Sequence, residues 1–131
     1  MNNRPIQMPE FSMAGKTAVV TGGTKGLGFG IAATYAHYGA NVVITARTAS
    51  EVTSAAEDIN RLYITGNNKC IGVPADSGRQ SDIDEVIAAA IATFGSLDIL
   101  VNNAGISGKT ASILSDDCDE ANFDAVIATN L

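Results

Sequence analysis

The sequence predicts an α/β fold in which a parallel sheet is covered by helices on both faces. Four short apolar runs, without the polar alternation of a half-exposed strand, alternate along the chain with segments of helical periodicity. A glycine-rich turn, residues 22–28, separates the first apolar run from the first helical segment. Strands that alternate with helices are joined by right-handed crossovers, so the predicted sheet is doubly wound.

The apolar runs and the residues between them set the limits of each predicted element. Gly39 and Gly95 are expected to end the first and third helices as C-cap glycines. Thr48 and Glu51 have the spacing of a capping box at the start of the second helix, and Ser81 is expected to cap the third. The predicted strands are residues 16–21, 41–45, 69–73 and 97–101, and the predicted helices are residues 26–38, 48 to about 66, 81–95 and from about 117 onward.

The side chains at helical spacing indicate which face of each helix should be buried. They are Leu27, Ile31, Thr34, Tyr35 and Tyr38 in the first helix, Val52, Ala55, Ala56, Ile59 and Tyr63 in the second, and Ile83, Val86, Ile87, Ala90, Ile91 and Phe94 in the third.

The length of 131 residues predicts one domain with a real hydrophobic core. Pro5 and Pro9 oppose helix formation near the start of the chain, so residues 1–13 are expected to form a flexible leader. The domain should therefore comprise residues 14–131.

The composition argues against several classes of partner. The net charge is −6 and the eight basic residues form no run, which argues against nucleic acid and anionic membranes. No apolar segment is long enough for a membrane span, and the first ten residues lack a signal-peptide core, so a cytoplasmic location is expected. Cys70 and Cys118 share no metal-binding spacing, so we expect no metal site and a buried Cys70.

The glycine-rich turn is the first candidate for a function. Gly22, Gly26 and Gly28 allow positive φ and a close approach to the backbone. The helix that follows directs unpaired N–H groups and the positive end of its dipole at the turn, which favours a phosphate or pyrophosphate. The alternative is a strand-to-helix turn that binds nothing. The turn follows the carboxyl end of the first strand, and in an open α/β sheet ligands bind at the carboxyl ends of the strands.

Four motifs in order resemble the short-chain dehydrogenase/reductase (SDR) family. Residues 21–28 match its Thr-Gly-x-x-x-Gly-x-Gly motif, and residues 102–105 match its Asn-Asn-Ala-Gly motif. Asp76 resembles the family's adenine-contacting Asp, and Asn130 resembles the helix Asn of its catalytic tetrad. The resemblance runs from about residue 14 to the last residue, with most similarity to 3-oxoacyl-carrier-protein reductases and to sugar or polyol dehydrogenases. It implies a Rossmann-type NAD(P)-binding domain, truncated after about four strands.

The resemblance implies a set of site residues. Asn130 would be catalytic by helping to hold a water in a proton relay, although an interior amide with a purely structural role is the alternative. Residues 102–105 could equally form a structural turn. The expected cofactor-binding residues are Gly22, Thr24, Lys25, Gly26, Leu27, Gly28, Arg47, Asp76, Ser77, Asn103, Ala104 and Gly105.

The loop after the second strand bears on the choice of cofactor. An acidic residue there would bind the ribose 2′-OH of NAD(H), but residues 46–48 are Ala-Arg-Thr. Arg47 and Lys25 offer positive charge to a 2′-phosphate, so NADP(H) is favoured and NAD(H) is possible. Alternatively, Lys25 is a solvated surface charge and Arg47 only flanks a helix. Glu51 is the nearby acid, and its capping-box spacing accounts for it.

The SDR reaction also uses a Tyr-x-x-x-Lys pair and a Ser, and these residues are missing here. None of the four lysines, Lys16, Lys25, Lys69 and Lys109, follows a Tyr by four positions. The resemblance implies an oxidoreductase that acts on a small carbonyl or alcohol substrate and forms a dimer or tetramer, while the 131 residues alone are predicted to be inactive. The alternative is a non-catalytic dinucleotide-binding fragment or interaction module.

Overall fold

A computed structural model of the chain describes residues 11–105 and shows a parallel sheet between helices. Within these residues the sheet has four strands in the order β3-β2-β1-β4, and every pairing is parallel. The predicted doubly wound α/β fold is confirmed. The elements are β1 (Thr17–Thr21), α1 (Gly26–His37), β2 (Asn41–Ala46), α2 (Ala49–Leu62), β3 (Cys70–Pro74), α3 (Gln80–Phe94) and β4 (Ile99–Val101).

The two central strands explain why these apolar runs carry no polar alternation. Every residue of β1 is buried, because side chains on both faces of the strand meet helices. Val20 and Ile44 pack into the core beneath α1 and α2, whereas Val19 and Val43 pack against Val86 of α3. Each fully buried Val or Ile contributes about 1.5–3 kcal/mol of hydrophobic free energy.

The buried face of α1 differs from the predicted one. Its buried residues are small, and the predicted Leu27 and Tyr38 are 74% and 46% exposed. Small side chains let the helix axis approach the sheet. The predicted Ile31 and Tyr35 pack against this core while only partly buried. The buried residues of α1 are Gly28, Ala32, Ala33 and Ala36.

Gly28 is where α1 comes closest to the glycine-rich turn. A Cβ added at this position would collide with the carbonyl oxygen of Gly22 and the Nδ2 atom of Asn103. Gly30, two residues later, has open space around its missing Cβ. The two glycines of one helix therefore have different reasons to be there: the first is required by packing and the second is not.

The second helix starts where predicted but without its capping bond, and the predicted cap of the third helix is wrong. Thr48 is the N-cap of α2, but its side chain makes no capping hydrogen bond, so the capping box with Glu51 does not form. The third helix begins at Gln80 with Arg79 as its N-cap, which places Ser81 inside the first turn. The predicted end of the third helix is correct: Gly95 adopts the left-handed conformation (φ +85°) that closes α3.

The buried face predicted for α2 is correct at Val52, Ala55, Ala56 and Ile59, while Tyr63 is the C-cap of that helix. In α3, Val86 and Ala90 are buried as expected, but Ile91 is 46% exposed. The predictions for residues 1–10, for the helix from about residue 117 and for Asn130 concern residues outside the described ones. No helix within residues 11–105 has the length and apolarity to span a membrane.

Cys70 is buried, as predicted, at the start of β3. The side chain of Asn60 fastens α2 to this residue, because its Nδ2 donates to the Cys70 carbonyl (2.7 Å) and its Oδ1 accepts from the Cys70 N–H (2.8 Å). Burial raises the pKa of the Cys70 thiol from its ordinary value of 9.0 to about 12.

This shift predicts a loss of stability at alkaline pH. Below pH 9 the thiol is protonated in both states, whereas above it the unfolded chain loses the proton first and unfolding becomes easier up to about pH 12. The free energy of unfolding should fall by about 1.4 kcal/mol between pH 8 and pH 10 in excess of the fall in Cys70→Ala. Urea unfolding of both proteins at each pH measures the difference, and equal pH slopes would contradict it.

The two glycines of α1 make a matched pair of substitutions. Gly28→Ala should lower the free energy of unfolding by about 1–3 kcal/mol, because backbone must move to admit the methyl group. Gly30→Ala should raise it by up to about 1 kcal/mol, because alanine is the better helix former at an open position. Urea unfolding followed by circular dichroism measures both values. Equal effects of the two substitutions would contradict the packing role of Gly28.

Candidate functional site

The carboxyl ends of the strands surround a cavity of about 310 Å³. It lies at the point where the strand order reverses: β2 lies on one side of β1, and β4 lies on the other. The loops after β1, β2, β3 and β4 all contribute to its wall. The residues in the wall are Gly22, Thr24, Lys25, Ala46, Arg47, Thr48, Glu51, Ala75, Asp76, Ser77, Asn103, Ala104 and Gly105.

The glycine-rich turn is anchored to the neighbouring strand. The N–H groups of Gly22 and Gly23 both donate to the carbonyl of Thr45 at the end of β2, at 2.9 and 3.2 Å. Gly22 has a φ of +67°, and a Cβ there would lie 2.9 Å from the Cα of Ala104. A side chain at position 22 would therefore separate the turn from the loop after β4 and fill the space between them.

The hydroxyl of Thr21 joins the ends of β1 and β4. Its Oγ1 donates to the carbonyl of Val101 (3.3 Å) and accepts from the N–H groups of Asn103 and Ala104 (3.0 Å each). The side chain is 3% exposed, so these bonds form away from competing water. Thr21 thereby holds the loop after β4 in the cavity wall.

Asn103 joins the loop after β4 to the glycine-rich turn. Its Nδ2 donates to the carbonyl of Gly22 at 3.1 Å. The side chain therefore has a structural partner even though the residue lines the cavity. Ala104 and Gly105 follow it along the same wall.

Asp76 shapes the loop after β3. Its Oδ1 accepts from the N–H of Gly78 (2.9 Å), and its own N–H donates to Oδ2 of Asp82 (2.8 Å). The preceding Ala75 donates its N–H to the carbonyl of Ala46 at 2.9 Å, which links this loop to the end of β2. The wall is thus one connected backbone network from the first strand to the third.

Four charged side chains share the wall: the cations Lys25 and Arg47 and the carboxylates Glu51 and Asp76. The only ion pair among residues 11–105 joins Arg61 and Asp58 on α2. The two cations of the cavity are therefore not neutralised by close carboxylates in the described part of the chain. The part of the wall formed by Lys25 and Arg47 suits an anion.

The structure brings nine of the twelve predicted cofactor-binding residues together in the wall. The other three lie outside it: Gly26 has a φ of +60° at the start of α1, Leu27 is exposed, and Gly28 packs against the turn. No group of three side chains suited to hold a metal ion occurs within residues 11–105.

Sequence reasoning missed four wall residues and one glycine. Ala46, Thr48 and Ala75 adjoin predicted site residues at strand ends, so their positions alone could have indicated them. The spacing of Glu51 predicts a capping box with Thr48, and this capping box does not form. At Gly23, a Cβ would lie 2.6 Å from Cγ2 of Ile44, a constraint that depends on a partner 21 positions along the chain.

Comparison with known proteins identifies the family. The model of the short chain dehydrogenase family matches residues 16–131. A 12alpha-hydroxysteroid dehydrogenase from Clostridium sp. is 38% identical over 72% of this chain and 38% of its own length. A 3-oxoacyl-(acyl-carrier-protein) reductase from Chlamydia muridarum is 35% identical over 91% of this chain and 46% of its own length.

Solved structures agree with these relatives. The 3-ketoacyl-(acyl-carrier-protein) reductase from Brucella melitensis, crystallised with NADH, superposes with a TM-score of 0.78 at 36% identity, covering 92% of this chain and 46% of that one. This chain spans less than half the length of each of these three proteins. The match over residues 16–131, with the parallel sheet and the motif residues gathered at its carboxyl edge, means that the chain belongs to the short-chain dehydrogenase family of oxidoreductases.

Proposed function

We propose that this chain is the cofactor-binding part of an NADP(H)-dependent oxidoreductase that transfers hydride between nicotinamide and a carbonyl or alcohol substrate. The observation that carries the proposal is the cavity at the carboxyl edge of the sheet, whose wall combines the glycine-rich turn with Lys25 and Arg47. The related hydroxysteroid dehydrogenase and acyl-carrier-protein reductase have unlike substrates, so only the substrate class is proposed.

The proposed position of the dinucleotide follows from the chemistry of the wall. Its adenosine half would lie between the loops after β2 and β3, with Asp76 and Ser77 beside the adenine. The 2′-phosphate would face Arg47 and Lys25, near the first turn of α2, whose N–H groups have no side-chain cap. The pyrophosphate would lie along Gly22 and Thr24, and the nicotinamide half near residues 103–105.

NAD(H) is the second candidate cofactor, because the similar Brucella reductase was crystallised with NADH. The end of β2 favours NADP(H) instead. Ala46 and Arg47 follow Thr45 there, and neither can accept a hydrogen bond from a ribose 2′-OH as a carboxylate would. The planar guanidinium of Arg47 can bind a phosphate through two parallel hydrogen bonds.

The reaction needs groups that the 131 residues do not supply. A bound nicotinamide dinucleotide would provide or accept the hydride. Asn130, outside the described residues, is proposed to hold a water of the proton relay. No Tyr-x-x-x-Lys pair is present to donate the proton itself. The proposal for these residues alone is therefore cofactor binding without turnover, and assembly into a dimer or tetramer is proposed for the whole enzyme.

Arg47→Asp tests the choice of cofactor. The wild-type chain should bind NADPH more tightly than NADH, and the substitution should weaken NADPH binding by about 10- to 100-fold, since a hydrogen bond to a charged group contributes about 1.5–3 kcal/mol. Fluorescence titration measures both affinities. Arg61→Asp, the same charge change on α2 outside the cavity wall, is the control. An unchanged NADPH-to-NADH ratio in Arg47→Asp would remove Arg47 from the site.

The absence of turnover is tested with the same protein. NADPH oxidation by the 131-residue chain, followed at 340 nm with a panel of ketones and aldehydes, should not exceed the rate without protein. Binding of NADPH in the titration above serves as the positive control for a folded site. Turnover well above the background would show that another group supplies the proton.

A further inference from the structure

We propose that Glu51 opposes Arg47 at this site and limits its affinity for nucleotides that carry a 2′-phosphate. This inference rests on the proposed function, because it concerns the same cavity. It assigns a specificity-determining role to a carboxylate that the sequence motifs do not mark.

The position of Glu51 is the first reason. It is the acidic residue in the first turn of α2, and it lines the cavity together with Arg47 and Lys25. A second cavity, between α1 and α2, has a volume of about 380 Å³ and shares Thr24, Lys25 and Glu51 with the first. Glu51 and Lys25 therefore stand where the two cavities meet, on the side of the proposed 2′-phosphate.

The second reason is that the carboxylate has no hydrogen-bond or ion-pair partner within residues 11–105. Thr48 forms no side-chain cap on α2, so Glu51 does not complete a capping box. Within residues 11–105, the Glu51 side chain makes no hydrogen bond or ion pair by the usual distance criteria. Its charge is left to act on whatever enters the cavity.

The effect on a nucleotide follows from Coulomb's law. A carboxylate in the same wall repels a 2′-phosphate, and it attracts Arg47 and Lys25 when no nucleotide is bound. A ribose 2′-hydroxyl carries no charge and can donate to a carboxylate, so NAD(H) is not penalised. Glu51 thus reduces the ratio of NADP(H) affinity to NAD(H) affinity that Lys25 and Arg47 raise.

Glu51→Gln removes the charge and keeps the size of the side chain. It should tighten the binding of NADPH and of 2′,5′-ADP by about three- to tenfold and leave NADH binding unchanged or slightly weaker, with a smaller gain in 0.5 M salt. Glu57→Gln removes an exposed charge of the same helix outside both cavities, and it should change no affinity. Thermal unfolding of both variants verifies that each is folded.

Glu51→Asp keeps the charge and should bind NADPH as weakly as the wild type does. Equal gains in Glu51→Asp and Glu51→Gln would overturn the inference, because side-chain length rather than charge would then be responsible. Unchanged NADPH affinity in Glu51→Gln, with a wild type that prefers NADPH, would overturn it and leave the proposed function standing. A wild type that binds neither nucleotide would overturn the proposed function as well.

Discussion

The hydroxyl of Thr21 is the interaction on which the cavity depends. It is buried at the end of the central strand, and its three hydrogen bonds reach across to β4 and the loop that follows. Because β1 lies between β2 and β4, this one side chain connects the two halves of the sheet at the edge where ligands bind. The turn after β1 is held from the other side by the carbonyl of Thr45. The geometry of the wall is therefore set by hydrogen bonds that end on backbone groups of the turn and of the loop after β4.

The strands were predictable because their chemistry is local. A strand buried on both faces must be apolar throughout. Each of the four predicted strands ends within one residue of its predicted carboxyl limit. The inner face of α1 was not predictable from apolar periodicity. Its fully buried residues are Gly28, Ala32, Ala33 and Ala36, and small residues carry little weight in a hydrophobic pattern.

The candidate site divides in the same way. Residues at strand ends, such as Arg47 and Asp76, could be placed from the topology alone, because parallel strands bring their carboxyl ends to one edge. Gly23 and Glu51 could not. Glycine is needed at position 23 because a larger residue would collide with the side chain of Ile44 on β2. The Glu51 carboxylate has no partner because the predicted capping box with Thr48 does not form. Both depend on three-dimensional relations that spacing along the chain does not encode.

The bonds from Gly22 and Gly23 to Thr45 also bear on the binding of a ligand. Glycine loses more backbone entropy on ordering than any other residue. If a glycine-rich turn became ordered only when a ligand bound, this entropy loss would weaken the affinity. Here two successive amides share one carbonyl acceptor at the end of β2. Because these bonds belong to the fold itself, the turn is ordered when the sheet folds, and a ligand bound at the turn would meet a preorganised backbone.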